Sequence, residues 1–260
     1  MDSGYLNFKL VKPGLLQSLV YLEETGSTNE YASANKLASD TLVITSNQTN
    51  GKGRFGRKWE SSPGKNIAMT LVKNFIISID EIHNVSFYSS LILLKTLQKL
   101  CKGYSTDFSL KWPNDVLLNS KKIAGFLLGT KDMSNKEKRI AIGVGVNVNE
   151  QNFGEEIRYT ATSLFNETRN EFALEDIVIS YVTELYSELT LINDCNSLMS
   201  QWKSNCAHIG KQVKFRLLVD SEEKSAFVKD ILPDGSLKLV SDDGSERCYF
   251  SGEITLGIRN

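Results

Sequence analysis

The chain has 260 residues, enough for one large domain or a medium domain with a small companion. Its composition, 41% hydrophobic and 23% charged, is that of a globular protein, and a net charge of -1 excludes a global positive field directed at nucleic acid or membrane. Four scattered cysteines without a C-x-x-C pair argue against a disulfide framework or zinc site, and two histidines leave acid–base work to Lys, Arg and Asp.

The start, "MDSGYLNFKLVKPG", has no apolar signal core, and no later segment reaches the ~18 apolar residues of a membrane span. A cytoplasmic location is expected. Further along, "ETGSTNEYASANKLA" predicts a turn and a helix, with Ser27 and Glu30 at capping-box spacing. "TLVITS" and "NIAMTLVKNFIIS" predict strands, and a buried helix fits Val85 to Leu100. Next come "FSLKW", then "DVLLNSKKIAGFLLG" with a turn at Asn119-Ser120, then "RIAIGVGVNVN", all read as strands; the intervening "TKDMSNKEKR" reads as an exposed loop. Residues 173–205 predict two helices. From Ile209 the texture changes to short alternating runs separated by "PDG" and "DDG" turns, predicting a small antiparallel barrel appended to an α+β domain. The expected division is 1–208 and 209–260.

"GKGRFGRKW", Gly51 to Trp59, is the most pointed stretch. Its G-x-G-x-x-G spacing matches a dinucleotide fingerprint, but that motif must leave a strand directly and open a helix. Here "TSNQTN" precedes it, and Pro63-Gly64 downstream oppose a helix. A P-loop would need Lys at 57 and Ser or Thr at 58, where the chain has Arg57 and Lys58. Two readings remain. One is a solvated basic turn. The other is a loop that closes over an anion, with Lys52, Arg54 and Arg57 as donors, backbone N–H groups converging between glycines, and Trp59 stacking on a base or capping an apolar pocket.

"KWPNDVLLNSKKIAG" carries a second constellation. Pro113 stops the strand that holds Lys111, so Asn114 and Asp115 should project from a corner. Lys122 returns on the next strand, ahead of Ala124 and Gly125, whose small size admits a ligand to the backbone. One hairpin then presents two ammonium groups, a carboxylate and an amide to one volume. Each lysine alone reads equally well as a surface strand residue.

Taken together, "STN", Gln48, "GKGRFGRKW", "KWPND" with "KIAG", and "GVGVNVN" resemble the biotin protein ligases over nearly the whole chain. The resemblance implies an α+β catalytic domain of class II synthetase type, a mixed sheet with flanking helices, followed by an SH3-like barrel. It implies formation of biotinyl-5′-AMP from biotin and ATP with Mg²⁺, then transfer of biotin to one lysine of a biotin carboxyl carrier domain of a carboxylase. Position by position, Ser27, Thr28, Asn29 and Gln48 would line the biotin ureido end; Lys52, Gly53 and Arg54 would wrap the carboxylate and phosphate; Lys122 and Gly125 would contact biotin. Arg57, Trp59, Asn114 and Asn147 would lie along the nucleotide. Lys111, Asp115, Arg54 and Lys122 would surround the reacting centre, with Asp115 at hand for magnesium or the incoming lysine.

The chemistry agrees with the inventory. Adenylation needs no protein nucleophile; it needs two anions held together while charge moves onto pyrophosphate, so scarce histidine is no handicap. One departure stands out: Lys52 occupies a position where the family usually has Arg, keeping the charge but losing bidentate contact. Some members add an N-terminal winged helix that represses transcription, and the 26 residues before Ser27 are too few for one, so no DNA partner is expected. No membrane partner is expected either, and monomer and homodimer stay open. Two rivals remain: a lipoate- or octanoate-protein ligase on the same fold, lacking a ureido ring to recognise, and a non-catalytic nucleic-acid-binding module.

Overall fold

Two kinds of periodicity, alternation in the strands and helical spacing in the long apolar run, divide this chain into a mixed sheet backed by helices and a second, smaller sheet. The computed structural model describes residues 1–132, 137–217 and 223–256. Helix α1 (Ser3–Leu6), prolonged by a π-type turn over Asn7–Val11, buries Leu6 and Leu10. Strand β1 (Ser18–Thr25), helix α2 (Thr28–Ala34) and strand β2 (Thr41–Gln48) form a crossover, so β1 and β2 run parallel. The glycine loop follows as a minimal ladder of β3 (Gly51–Lys52) on β4 (Lys58–Trp59).

Strand β5 (Ile67–Ile76), helix α3 (Ile82–Leu100), then β6 (Phe108–Lys111), β7 (Asp115–Leu118), β8 (Lys121–Asp132) and β9 (Glu137–Val146) complete the large sheet. Its order is β1-β2-β5-β9-β8-β7-β6, with all pairs after β1–β2 antiparallel. Helices α4 (Leu164–Thr168), α5 (Leu174–Ser187) and α6 (Cys195–Ser204) follow, and α3 packs against α5 and α6. Leu42 and Ile44 face that helical layer, while Val43 between them joins Ala32, Val72 and Ala141 on the α2 face. The sheet is therefore buried on both faces, and the end beyond α2 is left for a ligand.

Two expectations need correction. The polar run "TKDMSNKEKR" is not one loop, because β8 continues to Asp132 and β9 starts at Glu137; only 133–136 fall outside the described residues. Pairing of Glu137 and Lys138 with Ile76 and Phe75 of β5 carries polar residues into a ladder that their own propensity does not predict. At α2, Ser27 Oγ accepts the Glu30 N–H at 3.4 Å, but the Glu30 carboxylate pairs with Lys52 instead of closing the box.

The second sheet comprises β10 (Gln212–Arg216), β11 (Lys224–Ile231), β12 (Leu237–Val240), β13 (Glu246–Tyr249) and β14 (Glu253–Leu256), all antiparallel, in the order β13-β12-β11-β10-β14. Val213 and Phe215 alternate inward with exposed neighbours. Its "PDG" turn carries Gly235 at φ +77°, where a Cβ would come within 2.5 Å of the His83 ring, so conformation and space both require glycine. Among the described residues, no helix is long and apolar enough to cross a membrane.

The segment joining the two sheets buries His208 completely, with Cys206 Sγ 3.4 Å from Nδ1. Burial, reinforced by the charges of Lys111 and Lys211, pushes His208 down from 6.5 to about 3. Between those values the unfolded chain takes up a proton that the folded chain refuses. Stability is thus full above about pH 6.5 and declines as pH falls towards 3. This residue alone should remove about 2 kcal/mol between pH 7 and pH 5. Urea midpoints of His208→Gln should vary less with pH over that range than those of the parent protein; equal slopes would refute the assignment.

Candidate active site

The floor of the site follows from the alternation in β9. Ile142, Val144 and Val146 point into the core, so the intervening Ala141, Gly143 and Gly145 present an almost bare backbone to the other face. On β8 the register shifts opposite Val116 and Leu117, which pair with Ala124 and Lys122 and leave Ile123 as the extra residue. This bulge sends both Ile123 and Ala124 into the core and turns Lys122 onto the bare face. Lys122 lies over Gly125, where an added Cβ would meet its Cε and Nζ at 3.0 Å. Its backbone is gripped on both sides, donating to the Thr160 carbonyl at 2.7 Å and accepting from Thr162 N–H at 2.9 Å.

Charge gathers here. Lys122 Nζ stands 2.7 Å from Asp115 Oδ1, a buried oxygen that receives no aligned hydrogen bond. Burial, and to a lesser extent Lys122, lowers the Lys111 pKa, opposed mainly by the Asp115 carboxylate. Neighbouring backbone holds Lys111 in place: Leu110 donates to Asn205 and accepts from Ala207, each at 2.8 Å, and the Trp112 indole donates to the Gly235 carbonyl at 2.9 Å. Trp112 is therefore a buried strut between the two sheets.

At the other end, Thr28 and Gln48 form a small polar relay. Gln48 Oε1 accepts from Thr28 N at 3.0 Å and Oγ1 at 3.3 Å, while buried Thr70 donates to Thr28 Oγ1 at 2.9 Å. That arrangement fixes the amide and leaves Gln48 Nε2 as a donor close to Gly51. Ser27 caps α2. Asn29 donates to the Leu127 carbonyl at 2.9 Å and leans on Gly143, so it braces the wall.

The glycine loop makes the roof. Its backbone closes on itself, with Gly53 N–H donating to Arg57 O at 2.7 Å, and Phe55 and Gly56 at φ +62° and +75° form the reversal. Arg54 points inward, half-buried, 3.4 Å from Asn114 Oδ1. Burial lowers the pKa of its guanidinium, with Asp115 and Glu253 opposing. The other two expected anion donors are engaged by carboxylates: Lys52 pairs with Glu30, and Arg57 with Glu253 of β14. Trp59 lies on the floor, so close to Gly145 that any Cβ there would reach its ring at 2.5 Å. Its indole also sits 5.6 Å from Lys122 Nζ, and its N–H is buried without a partner.

All the residues expected from the sequence, Ser27, Thr28, Asn29, Gln48, Lys52, Gly53, Arg54, Arg57, Trp59, Lys111, Asn114, Asp115, Lys122, Gly125 and Asn147, line one cavity of about 630 Å³. Two amides are less free than expected. Asn114 donates to the Phe126 carbonyl at 2.5 Å, and buried Asn147 to the Thr162 carbonyl at 3.0 Å. The sequence reading missed a whole wall, residues 153–161, which brings Phe153, Ile157 and Tyr159 to the cavity, as well as Arg216 and Glu253 from the second sheet. Apolar residues stranded in the polar run "NFGEEIRYT" were the available signal. Among the described residues, no group of three or more His, Cys, Asp or Glu side chains could hold a metal.

Known proteins of this shape can now be set beside it. Residues 21–147 match the biotin/lipoate A/B protein ligase family. The bifunctional ligase/repressor BirA of Bacillus subtilis is 27% identical over 266 residues, spanning 99% of this chain and 79% of the relative. The biotin–[acetyl-CoA-carboxylase] ligase of Mycobacterium tuberculosis is 26% identical, spanning 92% and 90%. In three dimensions the chain is similar to a biotin protein ligase from Aquifex aeolicus solved with biotin and ATP, at a TM-score of 0.75 and 23% identity over 92% of this chain and 98% of that one. That likeness carries the fold: a mixed sheet with flanking helices and a small β unit. The chain is thus similar to the biotin/lipoate A/B protein ligase family over residues 21–147 and to biotin ligases over most of its length.

Proposed function

We propose that the protein is an ATP-dependent biotin protein ligase that makes biotinyl-5′-AMP in this cavity and then passes biotin to a lysine of a carrier domain. The observation that carries this reading is the polarity of the cavity. A fixed amide–hydroxyl relay, Thr28–Gln48–Thr70, stands at one end, and Arg54, Lys111 and Lys122 gather at the other over a floor of glycine. A ureido ring offers a carbonyl and two N–H groups, which suit Gln48 Nε2 and the oxygens around it. The valeryl chain would lie on the bare β9 backbone, bringing the carboxylate to the cations.

The carboxylate oxygen then attacks the α-phosphorus of ATP, and the bond to pyrophosphate breaks. Arg54 and Lys122 hold both anions together and offset the charge as it shifts, while the loop and the 153–161 wall exclude water from the mixed anhydride. In the second step the acceptor amine attacks the biotinyl carbonyl carbon and AMP departs. Magnesium would arrive on the ATP phosphates, sharing Asp115 as a single carboxylate, and would screen the triphosphate. Asp115 Oδ1, buried and without an aligned donor, fits that limited part. The proposed partners are the biotin carboxyl carrier domain and the substrates biotin and ATP.

ATP–pyrophosphate exchange separates this reading from its neighbour in the same family. Biotin should support exchange, and lipoate or octanoate should not, because neither satisfies the relay. Exchange with lipoate alone would hand the site to lipoate chemistry. Salt-sensitive oligonucleotide binding without exchange would favour the nucleic-acid module.

A further inference from the structure

Glu150 stands just after β9, outside the set of residues assigned to chemistry, yet it is a buried carboxylate, 9% exposed. Three donors converge on it. Ser62 N reaches Oε2 and Ser62 Oγ reaches Oε1, each at 3.1 Å, and Asn66 Nδ2 reaches Oε2 at 2.8 Å. No lysine or arginine among the described residues pairs with it. A buried charge held by hydrogen bonds alone is costly unless their geometry is kept, so this point resists local rearrangement.

The position matters because two walls of the cavity meet there. Ser62 and Asn66 are the descending base of the glycine loop, and Glu150 opens the segment that becomes the 153–161 wall. The seam is stitched further by Asn66 Oδ1 accepting from Val148 N at 2.9 Å, Asn149 N–H donating to Lys65 O at 2.8 Å, and Ser163 Oγ donating to Glu150 O at 2.5 Å. Higher up, the walls touch again, where a Cβ on Gly154 would stand 3.4 Å from Glu60 Oε2. The same segment ends at Thr160 and Thr162, which grip the Lys122 backbone.

We infer that Glu150 is a positioning residue that couples the glycine loop to the 153–161 wall, so that the two close over the adenylate as one unit. This rests on the proposed function for its ligand but not for its mechanics. Without the tie, either wall can open alone, and an enclosed adenylate escapes through whichever opens first.

The test uses the full chain with Glu150→Gln, which keeps the shape but loses the charge and one acceptor, and Ser62→Ala, which removes one donor at the other end of the tie. Hydrogen exchange on the ligand-free proteins comes first. Both variants should show faster exchange in 51–62 and in 151–161 together, with the 224–240 strands of the second sheet unchanged. Release of preformed biotinyl-adenylate should then accelerate about tenfold, the scale of one charge-assisted hydrogen bond. Wild-type exchange in the 151–161 segment in both variants would overturn the coupling. So would a lowered melting temperature with an unchanged release rate, the signature of a purely structural residue. If the parent protein formed no adenylate at all, the proposed function would fall, while the exchange comparison would still decide the role of Glu150.

Discussion

Arg54→Ala is expected to slow biotin-dependent adenylate formation roughly 10²–10³-fold, the scale for losing one preorganised donor of charge. Of the three basic candidates in the loop, Lys52, Arg54 and Arg57, only Arg54 is free of a paired carboxylate among the described residues; Lys52 is held by Glu30 and Arg57 by Glu253. It is also partly desolvated, so its field is weakly screened and its alignment costs little when substrates arrive. Arg54→Lys should recover part of the rate, because charge returns without the planar fork. Pre-steady-state formation of labelled adenylate is the measurement. An alanine variant as fast as the parent would remove Arg54 from the reacting centre.

Lys122→Met should cost a similar factor in rate, about 10²-fold or more, and a modest amount of stability besides. The stability term comes from Asp115, which is left buried without its cation. Because Lys122 is itself partly exposed, the loss should be about 1 kcal/mol, well short of a fully buried pair. Adding Asp115→Asn should restore the urea midpoint but not the rate. Recovery of both together would mean that Lys122 serves the fold and not the reaction.

Much of this was legible in the residues because alternation and turn chemistry are local. Asn119 and Ser120 were expected to turn a hairpin, and both sit at positive φ, 50° and 68°. The hairpin was the reason to expect Lys111, Asp115 and Lys122 around one volume, and they do line one cavity. Other features depend on distant partners and leave no local trace. The bulge at Ile123 that aims Lys122 is set by pairing with β7, and the buried state of Glu150 by donors more than 80 residues upstream. Trp59 was expected to stack on a base or to cap an apolar pocket, and its position on Gly145 depends on the bare floor that β9 offers, which its own neighbours in sequence do not reveal. The 153–161 wall escaped because an irregular segment has no periodicity to read.

On the proposed function, this cavity joins biotin to AMP and keeps the product. Native mass spectrometry of the chain incubated with biotin, ATP and magnesium tests it most directly. A complex carrying one biotinyl-adenylate is expected, absent when lipoate replaces biotin and strongly reduced in Arg54→Ala. Intact biotin and ATP bound side by side without condensation, or an adenylate formed from lipoate alone, would contradict it.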